Sequence, residues 1–155
     1  MLKEVKDAYV YIKGRAVVKS YYDKVKEPLR RLEKSGRVKV YIGWIPHSKL
    51  PPLYRAADVF VRTSRHENFG LGAIEAMACG TPVVAPNTAT LPEILGDATT
   101  LYIPGDPISL AEKIITLLTD RNFYDTVRSY QLARVQKTFN ILYVAQNTQN
   151  PTLHS

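Results

Sequence analysis

Two glutamates, Glu67 and Glu75, flank a glycine-rich segment at residues 68–72 (NFGLG). A helical pattern begins there, and glycines at the start of a helix let backbone N–H groups approach a ligand closely. The first amides of a helix lack partners within it and carry partial positive charge, which suits a phosphate. Glu75, about one turn into the helix, can accept hydrogen bonds from two neighbouring hydroxyls. The segment therefore predicts a ligand in which a nucleotide is joined to a sugar.

The composition is that of a globular chain large enough for one domain with a hydrophobic core. It has 155 residues, of which 45% are hydrophobic and 23% charged, both ordinary values for such a protein. No apolar run approaches the roughly 18 residues that span a bilayer, and the N-terminus lacks the pattern of a signal peptide. The single cysteine, Cys79, excludes an internal disulfide and fits a reducing compartment. We therefore predict a cytoplasmic location.

The formal net charge is +7, and much of the excess lies in residues 13–39. A basic net charge of this size is compatible with binding to nucleic acid or with peripheral contact with an anionic membrane surface. Interleaved acidic residues favour a solvated helix face instead, and no RNA-binding signature or aromatic interleaving is present. We predict no nucleic-acid partner. The three histidines are scattered and no zinc-ligand spacing occurs, so no metal is predicted either.

Strand-like and helix-like segments alternate, which predicts a parallel sheet covered by helices. Strands are predicted at residues 8–12, 38–42, 58–61, 82–85 and 99–103. Helices are predicted at 20–35 (kinked or restarted at Pro28), 50–56, 70–79, 91–95, from Asp106-Pro107 past Leu118, and at 121–139. Residues 77–79 are predicted to pack in the core. The expected fold is Rossmann-like and doubly wound, with its ligand at the carboxyl ends of the strands.

Several dispersed pieces of the chain together resemble a known family. They are residues 43–46 (GWIP), 53–64 (LYRAADVFVRTS), 66–85 (HENFGLGAIEAMACGTPVVA), 91–98 (LPEILGDA) and 106–114 (DPISLAEKI). In this order they resemble the C-terminal, nucleotide-sugar-binding half of a retaining GT-B glycosyltransferase of family 4, also called group 1. The resemblance implies hexosyl transfer from a UDP- or GDP-hexose donor to an acceptor hydroxyl, with the donor as substrate and no cofactor or metal.

The resemblance also implies roles for particular residues. Glu75 would hold the ribose hydroxyls, and Glu67, the candidate catalytic residue, would face the hydroxyls of the donor sugar. The remaining donor-binding candidates are Asn68, Phe69, Gly70, Leu71 and Gly72.

The chain departs from the family pattern at both ends. The family's first strand, which ends in Gly-Arg and is followed by a Lys, has no counterpart; Gly14-Arg15 with Lys19 imitates it and is interpreted as surface charge. The N-terminal acceptor-binding half is also absent from the sequence, and a separate chain could supply it. The predicted domain is therefore residues 1–140, a partial GT-B C-terminal half, followed by a frayed tail at 141–155.

Other functions stay open from the sequence. One is a non-catalytic module that binds nucleotide sugar, or a partner subunit of a split glycosyltransferase. Another is a sugar epimerase or phosphorylase of the same fold, although the spacing of the two glutamates together with residues 76–85 favours the transferase.

Overall fold

Helices and parallel strands alternate along the chain in a computed structural model that describes residues 5, 8–14, 19–64 and 69–139. The strands are β1 (Val10–Gly14), β2 (Val38–Ile42), β3 (Phe60–Val61), β4 (Val83–Pro86) and β5 (Leu101–Tyr102). The helices are α1 (Lys19–Glu33), α2 (Leu50–Arg55), α3 (Leu71–Ala78), α4 (Leu91–Leu95), α5 (Pro107–Thr119) and α6 (Arg121–Thr138). A single 3-10 turn at His47–Lys49 precedes α2. The chain divides into two compact units, residues 2–49 and residue 50 onward.

The first unit is a strand–helix–strand arrangement. β1 and β2 pair in parallel, with Val10 opposite Val38 and Gly14 opposite Ile42. The carboxylate of Glu33, the last residue of α1, accepts a 2.9 Å hydrogen bond from the amide of Val40 in β2. The end of the helix is thereby fastened to the strand that follows it.

In the second unit the parallel sheet has the strand order β3-β4-β5. The first half of β4 pairs with β3, placing Val83 opposite Phe60, and the second half pairs with β5, placing Ala85 opposite Leu101. All four residues of β4 are buried. Alternate side chains reach two apolar clusters: Val83 and Ala85 join the one that includes α3 and α4, whereas Val84 joins the one that includes α5. Helices therefore cover both faces of this sheet, as the doubly wound pattern requires.

Helix α6 fastens this unit through hydrogen bonds to its backbone. The side chain of Gln131, 1% exposed, accepts from the amide of Val83 (2.7 Å) and donates to the carbonyl of the same residue (3.1 Å). The guanidinium of Arg128 donates to the carbonyl of Gly80, just past α3 (2.9 Å), and that of Arg134 donates to the carbonyl of Ile94 in α4 (2.8 Å). Helix α6 thus holds the C-terminal ends of both α3 and α4.

Most predicted elements are present, and the differences have physical reasons. β3 and β5 have two residues each, because each pairs with only half of β4. Of the kink or restart predicted at Pro28, the restart is wrong: α1 continues through Pro28 as one helix of 15 residues. The prediction that residues 77–79 all lie in the core is wrong for two of them. Met77 is buried, but Ala78 is exposed and Cys79 half-buried, since three consecutive helical positions cannot share one face.

Among the described residues, no helix is long and apolar enough to cross a membrane. Tail residues 141–155 lie outside the described part, and the predicted domain boundary at residue 140 stays a prediction.

Candidate functional site

Helix α3 begins at a glycine whose backbone conformation other residues avoid. Gly70 has φ 57° and ψ 28°, in the left-handed region, and is buried. A residue with a Cβ is disfavoured there by about 1–2 kcal/mol. The carbonyl of Gly70 accepts from the amides of Ala73 (2.9 Å) and Ile74 (3.2 Å) and so opens the helix. Because Gly70 has no side chain, it cannot cap the first amides of α3, which follow β3 at the carboxyl edge of the sheet.

Glu75 lies in the second turn of α3 and contacts a tyrosine of the preceding helix. The hydroxyl of Tyr54, in α2, donates a 2.8 Å hydrogen bond to Oε2 of Glu75. Both side chains are half-buried. The carboxylate of Glu75 is therefore oriented by a group 21 residues earlier in the chain.

Tyr54 is itself held by two contacts that do not involve Glu75. Its backbone carbonyl accepts a 2.7 Å hydrogen bond from the hydroxyl of Thr81, after α3. Its ring meets that of Phe60 edge to face, with centroids 5.3 Å apart and an angle of 87° between the planes, a favoured aromatic geometry. The position of the hydroxyl is thus set by the surrounding structure.

The environment of Tyr54 keeps its hydroxyl protonated. Burial, the hydrogen bond to Glu75 and the negative charge of Glu75 together raise the pKa of Tyr54 well above its ordinary value of 10.0, although the charge of Arg62 opposes the shift. A protonated hydroxyl is the form that donates to a carboxylate, which only accepts when ionised. The direction of the Tyr54–Glu75 hydrogen bond is therefore fixed at neutral pH.

A positive charge lies beside the first turn of α3. Arg62 follows β3, where its amide donates to the carbonyl of Val84 (2.9 Å) and its carbonyl accepts from the hydroxyl of Tyr102 (3.2 Å). Its Nη1 lies 3.8 Å from the position that a Cβ on Gly72 would occupy. Such a Cβ would come no closer than 3.5 Å to Phe60, an ordinary van der Waals distance. Packing within the described residues therefore does not require glycine at position 72.

The structure brings together part of the predicted site. Gly70, Gly72 and Glu75 lie on the first two turns of α3 or at its start, together with Phe69 and Leu71, whose side chains are 74% and 63% exposed. Glu67 and Asn68 lie outside the described residues, as does Arg15. Lys19 lies exposed at the start of α1, in the first unit.

Two residues at this site, Tyr54 and Arg62, carried no role in the sequence-based prediction. Both belong to the piece at residues 53–64 that carries the family resemblance. A tyrosine in a short helix and an arginine after a strand are common on protein surfaces, so only the packing of α2 and β3 against α3 reveals them. Among the described residues, no group of three or more His, Cys, Asp or Glu side chains could hold a metal ion.

Comparison with known proteins gives a consistent family match. Residues 1–134 match the family described as "Glycosyl transferases group 1". O-antigen chain mannosyltransferase B from Escherichia coli is 39% identical over 97 residues, which cover 63% of this chain and 26% of the relative. The chain thus spans about a quarter of the length of that curated relative.

Two solved structures are similar to almost the whole chain. HepE from Anabaena, solved in complex with UDP, has a TM-score of 0.78 and 27% identity, covering 92% of this chain and 40% of its own. Sucrose-phosphate synthase from Thermosynechococcus elongatus has a TM-score of 0.75 and 31% identity, covering 90% of this chain and 36% of its own. These likenesses, together with the parallel strands, confirm the predicted α/β fold class.

Proposed function

We propose that this chain, which belongs to the group 1 glycosyl transferase family, is the donor-binding half of a retaining glycosyltransferase. The reaction is transfer of a hexosyl group from a nucleoside diphosphate sugar, such as UDP- or GDP-hexose, to an acceptor hydroxyl. The donor is a substrate, and neither a cofactor nor a metal is part of the proposal. Support comes from the names of the relatives, which include a mannosyltransferase and a protein solved with UDP.

The observation that carries the proposal is the placement of Glu75. Its carboxylate lies in the second turn of α3, the helix that follows the carboxyl end of β3, and a protonated tyrosine orients it at 2.8 Å. Doubly wound sheets bind nucleotides at the carboxyl ends of their strands, with an acidic side chain on the ribose hydroxyls. We assign Glu75 this role toward the ribose.

The diphosphate is assigned to the start of α3. Gly70 opens the helix without a side chain, and among the described residues no packing contact would exclude a Cβ at Gly72. Arg62 adds a positive charge beside the same turn. Helix amides and a nearby guanidinium stabilise negative charge, which builds up on the diphosphate as the bond to the anomeric carbon breaks. In this arrangement the leaving group is stabilised without a metal ion.

The remaining parts of the cleft are proposed from the family resemblance. Glu67 and Asn68 would meet the donor sugar, and an acceptor-binding half, in the same or a separate chain, would form the opposite wall. The exposed apolar side chains of Phe69 and Leu71, beside the proposed diphosphate site, suit a surface that a second wall covers. Turnover is accordingly assigned to the whole enzyme, and donor binding to this chain.

Equilibrium binding tests the assignment directly. UDP, GDP and ADP are titrated by calorimetry into the 155-residue chain and into its Glu75→Gln variant. We expect at least one nucleotide to bind the unaltered chain, and the substitution to weaken that binding about 10- to 100-fold. This range corresponds to the roughly 1.5–3 kcal/mol of a hydrogen bond to a charged group.

Glu112→Gln is the matched control, because Glu112 is an exposed glutamate on α5 of the same unit. It removes the same charge and should leave nucleotide binding unchanged. If none of the three nucleotides binds at millimolar concentration, or if both substitutions weaken binding equally, the proposed site is wrong.

A further inference from the structure

We propose that Tyr54 is a positioning residue that fixes the Glu75 carboxylate for the ribose hydroxyls and thereby favours ribonucleotides. The inference rests on the proposed function, since it assigns a role at the same site. It adds a residue outside the glutamate motif and outside α3, and it predicts an effect that depends on the hydroxyls of the ligand. It starts from the 2.8 Å hydrogen bond between the two side chains.

The position of the Tyr54 hydroxyl does not depend on Glu75. The hydrogen bond from Thr81 holds its backbone, and the edge-to-face contact with Phe60 holds its ring. Thr81 is 3% exposed, so the donor of the first of these contacts is itself held in place by packing. Tyr54 is therefore a fixed donor, against which a more flexible glutamate side chain becomes ordered.

Ordering Glu75 before the ligand arrives lowers the entropic cost of binding. A glutamate side chain has several rotatable bonds and loses much of its rotamer freedom when it is fixed. A carboxylate offers about four lone-pair directions, and the hydrogen bond from Tyr54 at Oε2 occupies one of them. The carboxylate can then accept from ribose hydroxyls in a geometry set in advance, which is the usual source of affinity from preorganisation.

This mechanism predicts a loss of affinity that depends on the ligand. Without the Tyr54 hydroxyl, Glu75 loses one donor that orders it, so more of its ordering falls on the binding step. Only a ligand with ribose hydroxyls uses the ordered carboxylate. A deoxynucleotide gains less from Glu75 and therefore loses less when Tyr54 is changed. A substitution that merely loosened the fold would weaken both kinds of ligand alike.

The experiment uses the full chain and its Tyr54→Phe variant, which keeps the ring against Phe60 and removes only the hydroxyl. UDP, GDP and ADP are titrated by calorimetry alongside their 2′-deoxy and 3′-deoxy forms. We expect the ribonucleotide to bind the variant about 5- to 20-fold more weakly. For the deoxy form that lacks the hydroxyl held by Glu75, the same substitution is expected to lower the affinity by less than about 2-fold.

Two further variants complete the test. Tyr130→Phe also removes a hydroxyl that donates a 2.9 Å hydrogen bond, but the acceptor is the carbonyl of Gly96. This substitution should change the affinity neither for the ribonucleotide nor for its deoxy forms. Adding Tyr54→Phe to a Glu75→Ala chain should cause no further loss of ribonucleotide binding, because the group that Tyr54 positions is gone. Thermal unfolding of each variant gives its stability and confirms that it is folded.

The outcomes separate the two claims. If the unaltered chain binds a ribonucleotide and Tyr54→Phe weakens it less than 2-fold, or weakens the deoxy forms equally, the positioning role is wrong while the proposed function stands. An additional loss in the Glu75→Ala background also overturns it. If the unaltered chain binds no nucleotide, the proposed function fails and the positioning role fails with it.

Discussion

Replacing Gln131 by leucine removes a buried side chain that completes the hydrogen bonding of β4. Gln131 is 1% exposed and makes three hydrogen bonds, two with the backbone of Val83 and one with the hydroxyl of Thr100 (3.2 Å). Val83 is fully buried and Thr100 is 1% exposed, so water cannot readily replace the amide. The substitution leaves a backbone N–H and C=O in the core without the partners they now have.

The expected cost follows from those groups. A buried polar group that loses its partner costs about 1–3 kcal/mol, and two or three such groups give roughly 3–6 kcal/mol. Burying leucine in place of the amide returns about 1–2 kcal/mol. We therefore expect Gln131→Leu to lower the free energy of unfolding by about 2–4 kcal/mol, a large part of the roughly 5–15 kcal/mol that is typical of a domain.

Urea unfolding followed by circular dichroism measures this loss. Gln136→Leu is the matched control, because Gln136 is an exposed glutamine on the same helix and should change stability by less than about 0.5 kcal/mol. If the two substitutions differ by less than 1 kcal/mol, the amide of Gln131 does not hold β4 as described.

Tyr54→Phe is expected to make the free energy of unfolding fall less steeply with pH above pH 10. The raised pKa of Tyr54 lets the folded chain keep a proton that the unfolded chain releases near its ordinary value of 10.0, so this stability is present below pH 10 and is lost as pH rises further. Between pH 10 and 11 the slope of unfolding free energy should fall by at most about 1.4 kcal/mol per pH unit; identical slopes in urea titrations would refute this. Gly96→Ala should cost about 2–3 kcal/mol, because Gly96 has φ +73° and a Cβ there would overlap the guanidinium of Arg134. Gly105→Ala, with φ +83° and open space around it, should cost only about 1 kcal/mol; equal losses by thermal unfolding would show that Arg134 moves aside freely.

Local sequence signals predicted the elements whose ends are set by local chemistry. Asp106 and Pro107 predicted the start of α5, and the carboxylate of Asp106 accepts from the amides of Ile108 (2.8 Å) and Ser109 (3.2 Å). β2 and α4 have the predicted bounds, Val38–Ile42 and Leu91–Leu95. A side chain that caps its own helix is visible in the sequence, because both partners lie within a few residues.

Features that depend on distant partners could not be predicted in the same way. An apolar run shows that a strand is present but not where its neighbour ends, so β3 and β5 were predicted too long. Pro28 did not break α1, because that helix has a strongly amphipathic pattern and packs on β2, which offsets the loss of one backbone hydrogen bond.

The same distinction between local signals and distant partners applies to the candidate site. Gly70, Gly72 and Glu75 were found from spacing within one segment, whereas the partner of Glu75 lies 21 residues earlier in another helix. Their assigned contacts with a ligand stay predictions.

Helix α6 packs Val127 and Val135 in the two apolar clusters, and it forms its hydrogen bonds to the α3, α4 and β4 segments with their main chain. Arg128, Tyr130 and Arg134 donate to carbonyl oxygens after or within α3 and α4, and Gln131 bonds both main-chain groups of Val83. Main-chain groups are the same whatever side chain a position carries. Side chains along α3 and α4 can therefore be exchanged for others without loss of these hydrogen bonds, so the surface that they form can vary on a support that stays in place.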